Sequence, residues 1–468
     1  MCLIPLSKHL FRLSDPLIRP NKWGRYRSSF LDLNGRVEIM LTVKTISRNV
    51  GGMLLLIIVS YLQINQSLVF AGDLEKGNNK NSSNKEAWVK WESKPEEVDK
   101  GNGLQLLLSA SEGMSFVYAA RKSGKGQDLY YTSSHNTGDT FSKSYRVNDT
   151  EGEVSSHGEN GPLLKQGPGI GKYAVWSGGN DLKFARSMNF GRSFLPSIKV
   201  NDDNEKSYHS FQTMEVSPDG TIYVAWLDGR GKETNLPGSS SLYIARSSDQ
   251  GASFEKNIKV AGDVCPCCRP ALTFDNSGNV YISWRHVYKD NNRAVAVSSS
   301  ADMGQTWAKK VLVTQKGWKV NGCPHSGASM EFQDGKLFIS WYSGAGNRAA
   351  LRAGLSNDNG KSFKYLGEVQ GKVLDANHPD IQMIKGDAWI IFQGRDPESD
   401  DGWGVIRPWL VKITSDGIAS TPKEVPFLGD SVAYPYLFAG SGGRIYATWT
   451  EIGEKETKAV LCRGRLDT

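Results

Sequence analysis

An eight-residue pattern recurs at near-constant spacing and constrains this chain more than any other feature. It reads Ser/Thr, any, Asp/Asn, any, Gly, any, Ser/Thr, aromatic. Copies stand at Ser134–Phe141, Ser187–Phe194, Ser247–Phe254, Ser300–Trp307 and Ser356–Phe363, and Thr414-Ser415-Asp416-Gly417 begins a truncated sixth. Their glycines lie 53, 60, 53 and 56 residues apart. The physics is that of a tight turn: the Asp/Asn oxygen takes backbone amides ahead of it, and glycine supplies positive φ. The aromatic then returns to a core. Five copies at one period mean tandem supersecondary units.

Short strands, many ending in Trp, run in phase with the turns: Phe116–Ala120, Tyr173–Trp176, Ile222–Trp226, Val280–Trp284, Leu337–Trp341, Trp389–Phe392 and Ile445–Trp449. A first strand precedes each, and a third, the turn and a fourth follow. Four strands per roughly 55 residues make a β-propeller blade. Fifty glycines suit many turns and oppose long helices, while 47 aromatic residues require a packed core. The expected fold is therefore all-β, a propeller of four-stranded antiparallel blades over residues 87–468. Seven blades is the reading and six the alternative. The last blade runs out of chain before a fourth strand, and Trp88–Glu92 is a strand without a blade, so pairing these ends closes the ring.

These boxes resemble the Asp-box (BNR) repeat of the sialidase superfamily, over essentially all of residues 88–468. The resemblance implies a site in which three arginines clamp a carboxylate, an Asp acts as acid/base, and a Glu activates a Tyr nucleophile. Ala433-Tyr434-Pro435-Tyr436-Leu437, then Gly443-Arg444-Ile445 and Glu451, is similar to the family's nucleophile strand and implies Tyr434 as nucleophile. Leu227-Asp228-Gly229-Arg230 resembles its early Asp/Arg segment, which implies roles for Asp228 and Arg230. Arg269-Pro270 resembles its Arg-Ile-Pro motif without the Ile. The chain departs where the family places a Glu and then an Arg, reading Ser326 and Tyr342 instead. Arg348 or Arg352 could supply a clamp member. Arg285, His286 and Tyr288 leave a strand end, where loops carry function.

A second cluster belongs to no part of that pattern. Val264-Cys265-Pro266-Cys267-Cys268-Arg269-Pro270 is followed one repeat later by Gly322-Cys323-Pro324-His325. Both segments, with His209 and His378, precede first strands, and His157 does so in looser register. First strands line a propeller's channel, so these groups are expected at one mouth. Three chemistries stay open: disulfides, a redox-active thiol pair, or a metal site of Cys265, Cys267, Cys268, Cys323, His325 and His209. Soft sulfur with imidazole suits copper(I) or zinc. Cys462, in mid-strand, reads as an apolar core residue.

Residues 53–64 form an apolar run preceded by Lys44 and Arg48 and followed by Val69-Phe70-Ala71. The run is shorter than the roughly 20 residues of a membrane span and has the form of a signal-peptide core. The expectation is a leader over residues 1–71 cleaved after Ala71, with Met40 as the more natural start, and a flexible linker at 72–86. Without Cys2, five cysteines remain, an odd number, so disulfides alone cannot use them all. Of the formal charge of +7, six units reside in the leader: residues 1–71 carry nine Lys/Arg and three Asp/Glu, leaving 47 positive and 46 negative charges in the rest. That balance excludes a bulk electrostatic case for nucleic acid. The sequence thus reads as a periplasmic or secreted propeller without an integral membrane span. It would bind a glycan, a small ligand or another exported protein, in a binding or assembly role; the alternative is an exo-sialidase or related glycoside hydrolase.

Overall fold

The computed structural model describes residues 88–467, except 93, 110–112, 205–206, 231–238, 315–316, 347 and 400–403, together with two strands nearer the N-terminus. Those two, Gly24–Asp32 and Gly35–Val43, pair antiparallel as a unit of their own. The apolar run 53–64, the cleavage position Ala71 and the linker 72–86 lie outside the described residues.

From Trp88 onward the chain is all-β. The sole helical element described is a 3-10 turn at Ser441–Gly443. Among the described residues no helix is long and apolar enough to cross a membrane. Strands follow one another as antiparallel meanders of four, in chain order across each sheet. One such sheet runs Asn102–Leu108, Met114–Ala120, Asp128–Ser134, Tyr145–Arg146. Others start at Leu163–Gln166, His209–Val216, Ala271–Phe274, Ser329–Gln333 and Leu374–Ile384. The sheets starting at His209 and Ala271 are joined by one pairing, Val264 with His286. The last sheet contains Ser431–Ala439, Arg444–Ile452 and Thr457–Leu466. Its remaining edge is filled by Val89–Trp91, opposite Leu466 to Gly464, and by Glu96–Lys100, opposite Leu461 to Lys458.

The second strands Met114–Ala120 and Ile222–Asp228 are buried along their whole length, because both faces of those strands are covered. The strand-end tryptophans fill the spaces between sheets. Trp226 packs among Leu163, Tyr173 and Val175 of the preceding sheet, and Trp449 packs in one cluster with Trp389. A sugar-stacking role for these rings is thereby excluded. The first and last sheets share a cluster as well, Leu104, Leu106 and Tyr118 with Tyr446 and Leu461.

The five turns have one geometry. In the fourth, Ser300 Oγ donates to Asp302 Oδ1 at 2.7 Å and accepts from Gly304 N at 2.8 Å, while Asp302 Oδ1 accepts from Thr306 N at 2.9 Å. Gly191 shows why glycine is required. Its φ is +84°, and a Cβ there would stand 2.1 Å from the Tyr131 hydroxyl. Asp249 and Asp358 are each held down to about 2: at Asp249 hydrogen bonds from Ser253 overcome burial, and at Asp358 the Ser362 hydroxyl leads.

Candidate functional site

The strand Ile258–Val264 ends where Cys265 N donates to Arg285 O at 2.8 Å. The chain then turns through Pro266 and packs three thiols together. Cys265 Sγ lies 3.7 Å from Cys267 Sγ and 3.5 Å from Cys268 Sγ, and all three lie within 4.8 Å of one another. They are buried against Phe211, Leu242, Trp284 and Val287, with half-buried Cys323 against the same cluster. All five described cysteines are free thiols. A disulfide would need an S–S distance of about 2.05 Å. Thiolates about 2.3 Å from a shared tetrahedral ion stand about 3.8 Å apart. The observed spacing is of the second kind.

Two arginines border the thiols. Arg293 Nη1 donates to Cys265 Sγ at 2.8 Å. Arg285 lies beside Cys268 and donates to the carbonyls of Ser326 at 3.0 Å and Tyr342 at 2.8 Å. The thiols consequently differ in acidity. Cys323 is brought down to about 5 by the Cys265 hydrogen bond first, which overcomes burial with help from Cys267 and Arg293. For Cys268 burial opposes ionisation, but hydrogen bonds from Cys265 and Cys267 and the Arg285 cation take it well below the ordinary thiol value. Cys265, as donor to its neighbours, is pushed up. At Cys267 the Cys265 bond favours ionisation, but the Cys268 bond and burial push the thiol up, so negative charge is favoured on Cys268 and Cys323.

Neither histidine named with these cysteines joins the three-thiol group. His209 is buried with Nδ1 2.5 Å from Asn180 O, and Nε2 is 3.1 Å from Asp203 and 3.5 Å from Asp228. Its ring belongs to a buried acid–arginine network. His325 is exposed, two residues beyond Cys323, with φ at +52°.

Arg269 follows Cys268 directly and leads into the first strand Ala271–Phe274, so the thiol turn positions the next group of side chains. Arg269 N donates to Glu159 Oε2 at 3.1 Å, and its Nη1 donates to the Tyr436 hydroxyl at 2.6 Å. Glu159 also accepts from Gly327 N at 2.8 Å and meets His378 Nδ1 at 2.9 Å. The His378 ring stands edge-on to Tyr434, centroids 4.7 Å apart. Both sit in the left-handed region, φ +51° and +55°, where first strands carry a bulge. Non-glycine residues held there store strain of about 1–3 kcal/mol, a feature that clusters at functional sites. Burial, then Glu159, raises the Tyr434 phenol above its usual value, so the environment opposes phenolate formation.

The other members of the sialidase-type set have different neighbours. Glu451 is buried and accepts from Asp430 N at 2.8 Å, Leu428 N at 3.2 Å and the Trp449 indole at 3.1 Å. Asp228 accepts from the Trp226 indole at 2.7 Å and from Arg230 N at 2.8 Å. Arg230 reaches Asp202 at 2.6 Å and Asn257 at 2.7 Å and lies 4.3 Å over the Tyr243 ring. Asp228 and Glu451 thus cap indole N–H groups two residues back, a structural use. Arg348 pairs with Glu368 at the surface, and Arg352 also contacts Glu368. Of the arginines named from sequence, Arg269 is the one that touches the Tyr434–His378–Glu159 group. Glu159 escaped sequence reading because its partners lie 110, 168 and 219 residues away.

Beside this group a cavity of about 130 Å³ is lined by first-strand side chains including Lys165, Glu215, Ser329, Glu331 and Asp380. Burial first, then Glu215, pushes Glu331 up to about 8, and burial pushes Asp380 up to about 6. The cavity disfavours further negative charge.

The family model described as BNR repeat-like domain matches residues 191–447. No curated protein matches the sequence. Among solved structures, an ulvan lyase of a new polysaccharide lyase family, bound to a -[GlcA(1-4)Rha3S]- saccharide, is 12% identical with a TM-score of 0.54, over 78% of this chain and 95% of its own. A protein of unknown function from Dyadobacter fermentans is 13% identical with a TM-score of 0.45, over 82% and 98%. The Trypanosoma rangeli sialidase in complex with the inhibitor DANA is also 13% identical at 0.45, over 78% of this chain and 55% of the sialidase. At 12% identity the likeness to the ulvan lyase extends to the fold alone.

Proposed function

The chain belongs to the BNR repeat-like domain family, with a fold of the sialidase superfamily, and from that premise we propose an exported binding protein that holds a thiophilic metal ion, copper(I) or zinc. The ligands are Cys265, Cys267 and Cys268, with Cys323 beside them. The observation that carries this reading is three buried, unbridged sulfurs within 4.8 Å of one another. The scaffold is a seven-bladed propeller over residues 87–468, closed by the strand Val89–Trp91 on the last sheet. It leaves the cell's interior by the leader 1–71, cleaved after Ala71, and trails the linker 72–86 in the periplasm or medium. Its partner is a glycan, a small ligand or another exported protein met at the channel mouth. Purification of the mature protein without chelator, with metals quantified by mass spectrometry and thiols counted, tests the site. One bound ion per chain is expected; no metal together with four oxidised cysteines would refute it.

A glycoside hydrolase of exo-sialidase type is the second reading. It is favoured by Tyr434 packed on His378, which is in turn bonded to Glu159. It is opposed by the raised Tyr434 phenol and by the internal use of Asp228, Arg230 and Glu451. Turnover of a fluorogenic sialoside that disappears in Tyr434→Phe would establish this reading over the first.

A further inference from the structure

The two arginines beside the thiols decide what kind of ion the site takes. Arg285 and Arg293 are 3% and 7% exposed. Among the described residues no ion pair joins either guanidinium to a carboxylate, and the Nε of each is buried without a partner. Their remaining contacts are backbone carbonyls and the sulfurs of Cys265 and Cys268. Two buried cations without counter-ions would be strongly destabilising. The negative charge that faces them is sulfur.

We infer that the site is a closed tetrathiolate for a divalent ion of the zinc type, with Cys323 as fourth ligand and the Arg285–Arg293 pair as its counter-charge. This rests on the reading of the thiols as a metal site and goes beyond it in ligand set, charge and role. Four thiolates around a 2+ ion carry a net charge of −2, which two guanidiniums neutralise. The same four around copper(I) carry −3 and leave a buried charge unbalanced. Cys323 already lies against Cys265 and Cys267, and closing on a shared ion brings it toward Cys268. Neither His209, held by Asn180, Asp203 and Asp228, nor exposed His325 is needed. A site with four protein ligands keeps no open position and is structural. It ties the end of the strand Ile258–Val264 to the segment that precedes Ser329–Gln333. It also anchors Arg269, the residue after Cys268, at the mouth.

The test is titration of the reduced full chain with zinc and with cobalt(II), reading stoichiometry by mass spectrometry and thiolate-to-cobalt charge-transfer absorption. One ion per chain is expected, with a tetrahedral cobalt spectrum. Cys323→Ser should lower the charge-transfer intensity by about a quarter, as one of four thiolates is lost. Arg293→Met should weaken zinc about ten- to a hundredfold with the spectrum retained, the signature of an outer group. Cys323 is half-exposed, so its variant tests the ligand set without emptying the core. One ion bound with both variants matching the parent, or copper(I) held in preference with Cys323→Ser silent, would overturn this inference and leave the thiol reading standing. Binding of neither zinc, cobalt nor copper(I) would overturn both.

Discussion

Glu159→Gln is the substitution that most directly probes how the mouth is held. The carboxylate accepts from Gly327 N, Arg269 N and His378 Nδ1, at 2.8, 3.1 and 2.9 Å, and so joins a segment ahead of the strand Leu163–Gln166 to three later sheets. Glutamine keeps the shape but offers one acceptor oxygen, and its amide N–H groups then face backbone N–H groups. At least one buried donor loses its partner, at about 1–3 kcal/mol, and the surviving bonds lose their charge assistance, so the total comes to about 3 kcal/mol. About 380 folded residues imply an unfolding entropy near 0.8 kcal/mol/K, so Tm should fall by about 4 °C. The assay is a calorimetric melt beside Glu454→Gln, an exposed control. A Glu159→Gln melt that matches the control would refute the reasoning that this carboxylate ties the sheets together.

Asp228→Asn should destabilise by about 3 kcal/mol, because it weakens the acceptor of the Trp226 indole and leaves Arg230 short of a counter-charge; a denaturation midpoint equal to the parent's would return Asp228 to the catalytic candidates. Glu331 faces Glu215, Lys165 and Asp380, and burial lifts it to about 8. The folded chain therefore binds an extra proton between about pH 4.3 and the raised value, and stability falls as pH rises through that window. Glu331→Gln should flatten the fall, measured as urea midpoints across the window; parallel profiles for parent and variant would refute the assignment.

The turns were legible because their chemistry is local. Ser300, Asp302, Gly304 and Thr306 satisfy one another within seven residues, so composition and order sufficed. The three-thiol turn was legible for the same reason, since Cys265, Cys267 and Cys268 are brought together by a four-residue bend. The role of Cys323 could be anticipated from its register against the repeat. His209 could not, because the same register left open whether its ring would face the thiols or the Asp203–Asp228 carboxylates. The indole contacts of the two carboxylates follow a local spacing: Trp226 with Asp228 and Trp449 with Glu451 are each two residues apart, and the acid caps the indole in both.

The amino-acid order alone determined the repeating four-stranded unit, its period and the nest of sulfurs, since each arises from interactions spanning a few residues. Only the tertiary structure decided that Glu159 would meet Arg269, Gly327 and His378. The reason is physical. A hydrogen bond between residues a hundred or more positions apart depends on how the sheets dock, and docking is set by the summed packing of whole faces, which no short stretch of sequence encodes.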